Sequence, residues 1–416
     1  MKIQRIEKII TLTLILIAVG ALAIKPAQEV SPNPLGGASV DTLLNLLSYL
    51  LLSILIAKYW KGFAFVASRS VFQILLLILI LFSILWSADM TSSLTYVRGL
   101  IRIYLLAIYL AMRYPIKEQM RLISFALGTT AVLSMIFPLI PSFGGIHTAP
   151  ELAGMWSGIF GHKNELGYMM AWTAGIFLHL ALSESQFRWL RLSIVGLSIC
   201  LIILSRSTTS LMIILTMICL LPLYKLSKNK NYKLQIITIS FVLMLLISGS
   251  ILILGNAESI VGASGKDLTF SGRTDLWEPV LNQITKRPFF GYGYSGFWSS
   301  PFASNIRLTH EWASNSHNGF LEIMLELGIG GFVIFAIGLI RFFVMALNRV
   351  VLIAQKPEDY WPMQMLVIII IVNISEARLL TPSWNWLMYL TMSFSLTMEY
   401  HRLKSKVLSS LDLVST

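Results

Sequence analysis

The chain has 416 residues, of which 56% are hydrophobic and only 12% are charged. Its mean hydropathy of +0.74 lies far outside the range of water-soluble domains. The composition therefore excludes a soluble enzyme or a soluble binding module. It predicts an all-α polytopic integral membrane protein.

The apolar runs predict about twelve transmembrane helices, because about 17 to 25 apolar residues are needed to cross about 30 Å of hydrocarbon. In chain order the runs lie at 9–24, 40–57, 68–86, 94–112, 122–140, 164–183, 190–205, 208–224, 235–254, 328–347, 362–375 and 383–398. Residues 1–24 imitate a signal peptide with Ala21-Leu22-Ala23 as a cleavage site, and we interpret them as a retained first helix.

Basic residues are concentrated in every second segment between the predicted helices, and these segments lie on one side of the membrane. With a cytoplasmic N-terminus, most of the 32 Lys and Arg fall in short segments on the cytoplasmic side. The positive-inside rule then predicts cytoplasmic placement of both termini and a multi-pass protein of the cytoplasmic (inner) membrane. The same bias accounts for the net charge of +12, so the charge does not call for a nucleic-acid partner.

Three polar segments lie on the predicted extracytoplasmic face, where we expect the active site. The longest is a large loop at 255–316, which predicts a small cap with one or two helices, and the others lie at 141–163 and 375–383. No long-period repeat or low-complexity linker divides the chain. We therefore predict a single membrane domain over residues 1–416.

Polar residues are concentrated just before the start of the predicted span at 328–347. The segment Ser314-Asn-Ser-His-Asn-Gly-Phe-Leu-Glu322 runs directly into it. Ionisable residues are costly at the edge of a membrane helix, which indicates a catalytic or binding role. Two further polar motifs are Gly161-His-Lys-Asn-Glu-Leu-Gly167 and Ser271-Gly-Arg-Thr-Asp-Leu-Trp277, the latter followed by Arg287-Pro288 and Gly291-Tyr-Gly293.

These motifs resemble those of the O-antigen ligase and polysaccharide polymerase superfamily. The segment 316–322 with 326–328 looks like its His-Asn signature, and 271–293 resembles its Gly-Arg…Trp…Pro…Gly-x-Gly segment. The motif at 161–167 is similar to the version in exopolysaccharide polymerases of the ExoQ type. The resemblance covers about residues 150–400, while the first half matches in hydropathy alone. It implies a GT-C-like membrane glycosyltransferase that uses a glycan carried on undecaprenyl diphosphate.

The implied chemistry assigns roles to individual residues. Glycan transfer from a lipid diphosphate needs a base for the acceptor hydroxyl and cations for the leaving group. His317 is the candidate base, because an imidazole accepts a proton near neutral pH. Arg273 is the candidate diphosphate clamp, since a guanidinium binds phosphate oxygens in a bidentate manner. The candidate substrate-binding residues are Lys163, Arg206, His162, Asn164, Asn318, Glu322, Arg98 and Arg102.

One departure from the ligase pattern favours a polymerase over a ligase. O-antigen ligases carry a second Arg in a turn between two mid-chain spans, and the aligned position here is Thr208. Arg206, two residues away, or Lys163 would have to supply the missing charge. The O-antigen ligase remains the alternative within the superfamily.

Several candidates also have a structural interpretation. His317 or Asn318 could cap the following helix. Glu322 lies five residues after His317, so it is expected to stabilise the loop or the helix terminus. Arg273 could be a solvated loop charge, and Lys163 a snorkelling residue at the start of a span.

Two arginines within a predicted span remain open to a structural role. Arg98 and Arg102 share one helix face, where they could bind an anionic headgroup or pair with Glu376, Asp89 or a backbone carbonyl. Glu376 and Arg378 could pair with each other or line the path of the acceptor.

The run Gly291-Tyr-Gly-Tyr-Ser-Gly296 matches a dinucleotide-binding pattern, but its position in an external loop indicates a chance match. We interpret the aromatic residues of 292–298 as an interfacial belt or as sugar-stacking surfaces.

No cofactor or metal is expected. Asp267, Asp275, Glu278 and Glu311 could hold a divalent cation, but the implied chemistry needs none. The expected partners are the undecaprenyl-diphosphate-linked oligosaccharide, membrane lipids, a flippase and a chain-length regulator.

Two other classes of protein fit the layout. A twelve-helix secondary transporter or flippase could use Arg98 and Arg102 for an anionic substrate. However, the polar residues concentrate in one asymmetric loop and no matching half-repeat is visible in the sequence. A structural scaffold of an export complex predicts no effect from changing His317.

Overall fold

The computed structural model describes residues 2–22, 37–140, 143–226, 273–353 and 356–414. This part of the chain is helical, and its one β contact is an isolated bridge between Ile146 and Trp156. The helices are α1 Lys2–Val19, α2 Gly37–Arg69, α3 Val71–Ser83, α4 Met90–Arg113, α5 Ile116–Ile136, α6 Lys163–Ser183, α7 Arg188–Ser205, α8 Thr208–Leu226, α9 Arg273–Lys286, α10 Ser304–Thr309, α11 Gly319–Asn348, α12 Trp361–Ser375 and α13 Trp384–Val414.

Six candidate membrane spans confirm the all-helical, multi-pass architecture. Judged by length and apolar composition, they are Val40–Arg69, Met90–Arg113, Ile116–Leu139, Lys163–Ser183, Arg188–Ser205 and Gly319–Val351. Two shorter apolar helices are Val71–Trp86 and Thr208–Leu220. The predicted span at 235–254 lies outside the described residues. The count of twelve and the GT-C-like arrangement stay predictions.

The centre of the bundle is built from α4, α6 and α13. Trp386 and Tyr389 of α13 are fully buried and stack with ring centroids 4.8 Å apart. Hydrogen bonds between helices satisfy buried polar groups: Trp172 Nε1 donates to Asn385 Oδ1 at 2.8 Å, and Gln73 Nε2 donates to Ser393 Oγ at 2.7 Å. Interhelical hydrogen bonds of this kind fix the register of helices whose surroundings are otherwise apolar.

Ion pairs gather at the ends of the helices that were predicted to be cytoplasmic. Glu184, just after α6, pairs with Lys117 of α5, and also with Arg121 and Arg191. Burial alone would raise the pKa of Glu184, but hydrogen bonds from the two arginines and from Lys117 lower it to about 2. Glu7 of α1 likewise pairs with Lys58 and Arg113. These pairs tie the helix ends together at the end of the bundle opposite the polar motifs.

Helix α11 is broken at Gly328, which adopts φ 65° and ψ −167°. The carbonyls freed at the break are satisfied by a neighbouring loop: Tyr292 N donates to Leu325 O at 3.0 Å, and Gly293 N donates to Glu326 O at 2.9 Å. A Cβ at Gly328 would lie 2.3 Å from the carbonyl carbon of Phe289. Interrupted backbone within a membrane bundle needs such protein partners. The predicted span at 328–347 begins at this break, and residues 319–327 form a separate short outer helix.

The loop against this break is packed as a small core. Tyr292, Tyr294 and Phe297 are at most 1% exposed. Tyr294 Oη donates to Leu380 O at 2.6 Å. The interpretation of these three rings as sugar-stacking surfaces or an interfacial belt is therefore wrong, because the rings are buried where the loop packs against α11 and are not accessible to a sugar or to lipid.

Candidate functional site

The loop that carries His317 is held by the residue next to it. Asn318 Oδ1 accepts hydrogen bonds from Phe320 N at 3.0 Å and Leu321 N at 3.2 Å, so Asn318 is the N-cap of α11. His317 has a left-handed φ of 48°, and its own N–H donates to Asn315 Oδ1 at 2.9 Å. Because Asn318 provides the cap, the imidazole of His317 is not needed for it.

The imidazole of His317 faces the carboxylate of Glu376. His317 Nδ1 lies 3.7 Å from Glu376 Oε2, and the two side chains are 18% and 12% exposed. The ring of Trp312 covers the imidazole, with ring centroids 5.3 Å apart. A carboxylate at this place stabilises the positive charge that the imidazole gains when it takes a proton. The distance is longer than a hydrogen bond, as is common at catalytic pairs before substrate binds.

Glu376 also connects His317 to the motif at 161–167. Asn164 Nδ2 donates to Glu376 Oε1 at 3.2 Å. One carboxylate therefore has one oxygen towards Asn164 and the other towards His317. Two motifs that are far apart in the sequence meet at this side chain.

Two neutral histidines shape the start of α6. His162 Nδ1 accepts from Asn164 N at 3.2 Å and caps the helix, while His147 Nε2 accepts from Lys163 N at 3.1 Å. Burial lowers the pKa of both imidazoles, and Lys163 lowers it further. In the neutral rings His162 Nδ1 and His147 Nε2 are therefore the unprotonated nitrogens that accept these bonds. Asn164 is thereby fixed where its amide reaches Glu376.

The start of α11 lies against the end of α12 at one glycine. A Cβ at Gly319 would lie 2.3 Å from Asn373 Oδ1. Asn373 Oδ1 accepts from Arg378 N at 2.8 Å, and its Nδ2 donates to Ile369 O at 2.8 Å. The absence of a side chain at 319 thus permits the approach that brings His317 and Glu376 together.

Glu322 anchors the His317 loop from beneath. Its Oε2 accepts from Ser316 N at 2.8 Å, and its Oε1 accepts from Trp298 Nε1 at 2.7 Å. Trp277 of α9 donates from Nε1 to Ser316 O at 3.0 Å. Both backbone polar groups of Ser316 are therefore held by side chains from other segments. The role of Glu322 in this geometry is to position the loop.

Helix α9 begins at Arg273, and Trp277 places this helix next to the His317 loop. The side chain of Arg273 lies outside the described part of the structure. Its assignment as a diphosphate clamp stays a prediction.

The predicted arginines lie in different surroundings. Arg98 is exposed and donates from Nε to Leu94 O at 3.2 Å and from Nη2 to Thr95 Oγ1 at 3.3 Å. Arg206 is exposed and ends α7 in a left-handed conformation with φ 51°. Thr209, shortly after Arg206, contacts Ser375 with hydroxyl oxygens 3.1 Å apart. Arg102 instead lines a cavity beside the site.

Sequence reasoning did not separate the roles of Glu376 and Arg378. Glu376 turns towards His317 and Asn164, whereas the guanidinium of Arg378 lies over the ring of Tyr168, 5.1 Å from its centroid. Asn373 was missed altogether, although a polar residue inside the apolar run 362–375 was an available signal. Trp298 was interpreted as part of an interfacial belt or a sugar-stacking surface, and its hydrogen bond to Glu322 was not foreseen. Among the described residues, no group of three or more His, Cys, Asp or Glu is arranged to hold a metal ion.

Comparisons with known proteins agree with these motifs. Residues 193–336 match the family model described as O-antigen ligase. The chain is also 30% identical, over 145 residues, to the exopolysaccharide production protein ExoQ of Rhizobium meliloti (strain 1021). That match spans 33% of this chain and 33% of the relative, so it covers about one third of the relative's length.

The family match contains His317, Glu322 and the loop that fills the break in α11, while Asn164 and Glu376 lie outside it. The structure brings those two residues to His317 from flanking segments. The family match, the relative and the motifs together support the assignment of this chain to the O-antigen ligase and polysaccharide polymerase superfamily.

Proposed function

We propose that this protein is a membrane glycosyltransferase that joins glycan repeat units carried on undecaprenyl diphosphate, at the extracytoplasmic face of the inner membrane. The observation that carries the proposal is the placement of His317 against Glu376, in a loop of the region that matches the O-antigen ligase family. A base with a carboxylate partner is the arrangement needed to activate a hydroxyl group.

The proposed step is a single displacement at the anomeric carbon of the donor sugar. The acceptor hydroxyl loses its proton to His317 as its oxygen forms a bond to that carbon. The bond from the carbon to the diphosphate oxygen breaks, and the diphosphate leaves with the electron pair. Glu376 stabilises the protonated imidazole, and arginine side chains stabilise the negative charge that builds on the leaving group.

A polymerase is favoured over a ligase. The relative is named for exopolysaccharide production, and Thr208 stands where ligases carry a second Arg. The ligase remains the second candidate, because the matched family model is described as O-antigen ligase. Both would use the same donor and would differ in the acceptor that enters the site.

The test is the surface polysaccharide profile of a deletion strain complemented with wild type, His317→Ala or Arg273→Ala, with membrane levels of each variant measured. A polymerase predicts that both variants insert normally, lose the high-mass polymer and leave single repeat units. Long lipid-linked polymer that accumulates unattached would instead establish the ligase. Full complementation by both variants would overturn the proposal and favour transport or scaffolding.

A further inference from the structure

Trp312 is exposed although the segment that carries it is fixed. It is 48% exposed, whereas Ala313, the next residue, is buried in a small core with Leu276 of α9. Ala313 N donates to His310 O at 2.9 Å, and Ser316 is fully buried. Both sides of Trp312 are therefore anchored, and the exposure of its indole is a property of the fold.

The indole of Trp312 differs from those of two neighbouring tryptophans. Trp277 Nε1 donates to Ser316 O, and Trp298 Nε1 donates to Glu322 Oε1. Within the described segments, Trp312 Nε1 makes no hydrogen bond to a protein acceptor. An indole offers both an apolar face and one N–H donor. At Trp312 both are therefore available to a ligand.

Neither of the adjoining imidazoles stacks flat on this indole. The ring of His317 is tilted by 54° with its centroid 5.3 Å away, and the ring of His310 meets the indole at 75° with its centroid 6.0 Å away. A single exposed aromatic residue is ordinary on a protein surface. What distinguishes Trp312 is its contact with the candidate base.

The orientation of His317 brings the acceptor sugar to this indole. Nδ1 of the imidazole faces Glu376 Oε2 at 3.7 Å, which leaves Nε2 as the nitrogen that takes the proton of the acceptor hydroxyl. Because Trp312 covers the same imidazole, the sugar that carries this hydroxyl lies beside the indole. The C–H bonds on the apolar face of a pyranose carry partial positive charge, and the negative face of an aromatic ring attracts them.

We infer that Trp312 binds the acceptor sugar, with the apolar face of a pyranose ring on the indole and a sugar oxygen accepting from Nε1. The inference rests on the proposed function and names the residue that holds its acceptor. Stacking fixes the plane of the sugar ring and thereby directs one hydroxyl towards His317 Nε2. It also makes Trp312 a specificity-determining residue, because an axial hydroxyl on the stacked face would separate the two rings.

The test is the binding of the repeat-unit oligosaccharide to the purified full-length protein in detergent, measured without turnover. The probe is released by mild acid from the lipid-linked repeat units of the deletion strain, so it carries neither lipid nor diphosphate. Trp312→Ala and Trp312→Leu should each weaken binding about three- to tenfold, whereas Trp312→Phe should stay within about twofold of wild type. Unchanged binding by the Ala and Leu variants would overturn the inference.

The matched control is Trp189→Ala, which should bind the oligosaccharide as wild type does. Trp189 is 81% exposed at the start of α7, at the opposite end of the bundle. The comparison of Trp312→Phe with Trp312→Leu keeps the test decisive if Trp312→Ala is poorly folded. Both of these variants keep an apolar side chain over His317, and only the first keeps an aromatic face.

Kinetics separate binding of the acceptor from support of the imidazole. With the same oligosaccharide as acceptor, Trp312→Ala should raise its KM about three- to tenfold and leave kcat within about twofold of wild type. A residue that served only to hold His317 would lower kcat without weakening the binding of the oligosaccharide. That result would contradict the inference.

The competing role for an exposed tryptophan of a membrane protein is insertion into the bilayer interface. Quenching of tryptophan fluorescence by brominated phosphatidylcholine in reconstituted vesicles distinguishes the two roles. Binding of the acceptor predicts that wild type is quenched no more than Trp312→Phe. Stronger quenching of wild type would assign the indole to lipid and overturn the inference.

Failure of this inference is distinguishable from failure of the proposed function. If His317→Ala is inactive while Trp312→Ala binds the oligosaccharide and reacts as wild type does, the function stands and the role of Trp312 falls. If binding depends on Trp312 but glycan formation does not depend on His317, the role of Trp312 stands and the catalytic proposal falls.

Discussion

His317 Nδ1 and Glu376 Oε2 lie 3.7 Å apart, in two loops from different parts of the chain. Neither residue is placed by its own helix. Asn318 and Glu322 fix the loop of the histidine, while Asn164 contacts the other oxygen of the carboxylate. The pair therefore depends on contacts among three separate segments, and each contact can be tested by substitution.

Replacing Glu376 should slow glycan formation without removing the protein from the membrane. Glu376→Gln keeps the size of the side chain and an oxygen for Asn164, but it removes the negative charge beside His317. We expect a loss of about 10- to 100-fold in rate, within the usual contribution of general acid–base groups. The measurement is polymer formed per unit of membrane protein. Glu151→Gln, at an exposed turn residue, is the control and should retain full activity. An unchanged rate for Glu376→Gln would show that the carboxylate does not assist His317.

Replacing Glu322 should loosen the His317 loop. Both of its oxygens accept from buried donors, so the amide group of Glu322→Gln would point N–H towards a donor. Leaving such a group unsatisfied costs about 1–3 kcal/mol. We expect a lower thermal unfolding temperature in detergent together with reduced activity. Glu278→Gln, on the exposed side of α9, should leave unfolding unchanged. If the two variants unfold alike, Glu322 does not anchor Ser316.

A methyl group at Gly319 should force α11 and α12 apart. The added Cβ would lie 2.3 Å from Asn373 Oδ1, whereas at Gly330 of the same helix the nearest atom is Phe289 O at 3.5 Å. Overpacking of this kind typically costs about 1–3 kcal/mol. Gly319→Ala should therefore be destabilised and slow in glycan formation, while Gly330→Ala should be as stable as wild type or more so. Equal stability of the two alanine variants would contradict the close approach.

Acidification should weaken the start of α6. Burial lowers the pKa of His162 in the folded protein, and the positive charges of His147, Lys163 and Arg378 lower it further. The carboxylate of Glu376 acts in the opposite direction, but the pKa still lies below its ordinary value of 6.5. The stability that the neutral cap contributes is present above pH 6.5 and is lost as the pH falls from there through the folded pKa.

The measurement is the thermal unfolding temperature in detergent at about pH 7.5 and about pH 5.5. His162→Asn supplies a cap that does not titrate, so its unfolding temperature should fall less between the two pH values than that of wild type. His147 keeps part of the dependence in both proteins, because its pKa is also lowered by burial. An identical fall in the two proteins would contradict the role of His162.

Much of the fold was predictable because long apolar runs in the sequence identify membrane-spanning helices. The apolar runs that fall within the described residues coincide with helices, including the run that starts at the Gly328 break. Residues 40–69 were harder, because α2 continues beyond the predicted end at 57 and bends at Tyr59, with φ −122° and ψ 25°. Hydropathy does not report such a bend, since Tyr59 is held by a hydrogen bond from its hydroxyl to Glu7.

The candidate site was predictable in part. His317 and Asn164 stand in recognisable motifs, but their connection through Glu376 is a tertiary contact that no local pattern reveals. The aromatic residues near 292 were misread for the same reason, because only the broken helix explains their burial. Likewise, the spacing of Arg98 and Arg102 gave them a common face, yet the packing of α2 half-buries Arg102 and leaves Arg98 exposed.

The most direct test of the catalytic role of His317 is glycan polymerisation in membrane vesicles from the deletion strain, carrying wild type, His317→Ala or His310→Ala. His310 is a matched control, because it lies in the same segment before α11 with its ring 6.0 Å from that of Trp312. At equal protein levels, the account predicts that His310→Ala forms polymer as wild type does, while His317→Ala forms none. Polymer from His317→Ala at the rate of the His310→Ala control would contradict the account.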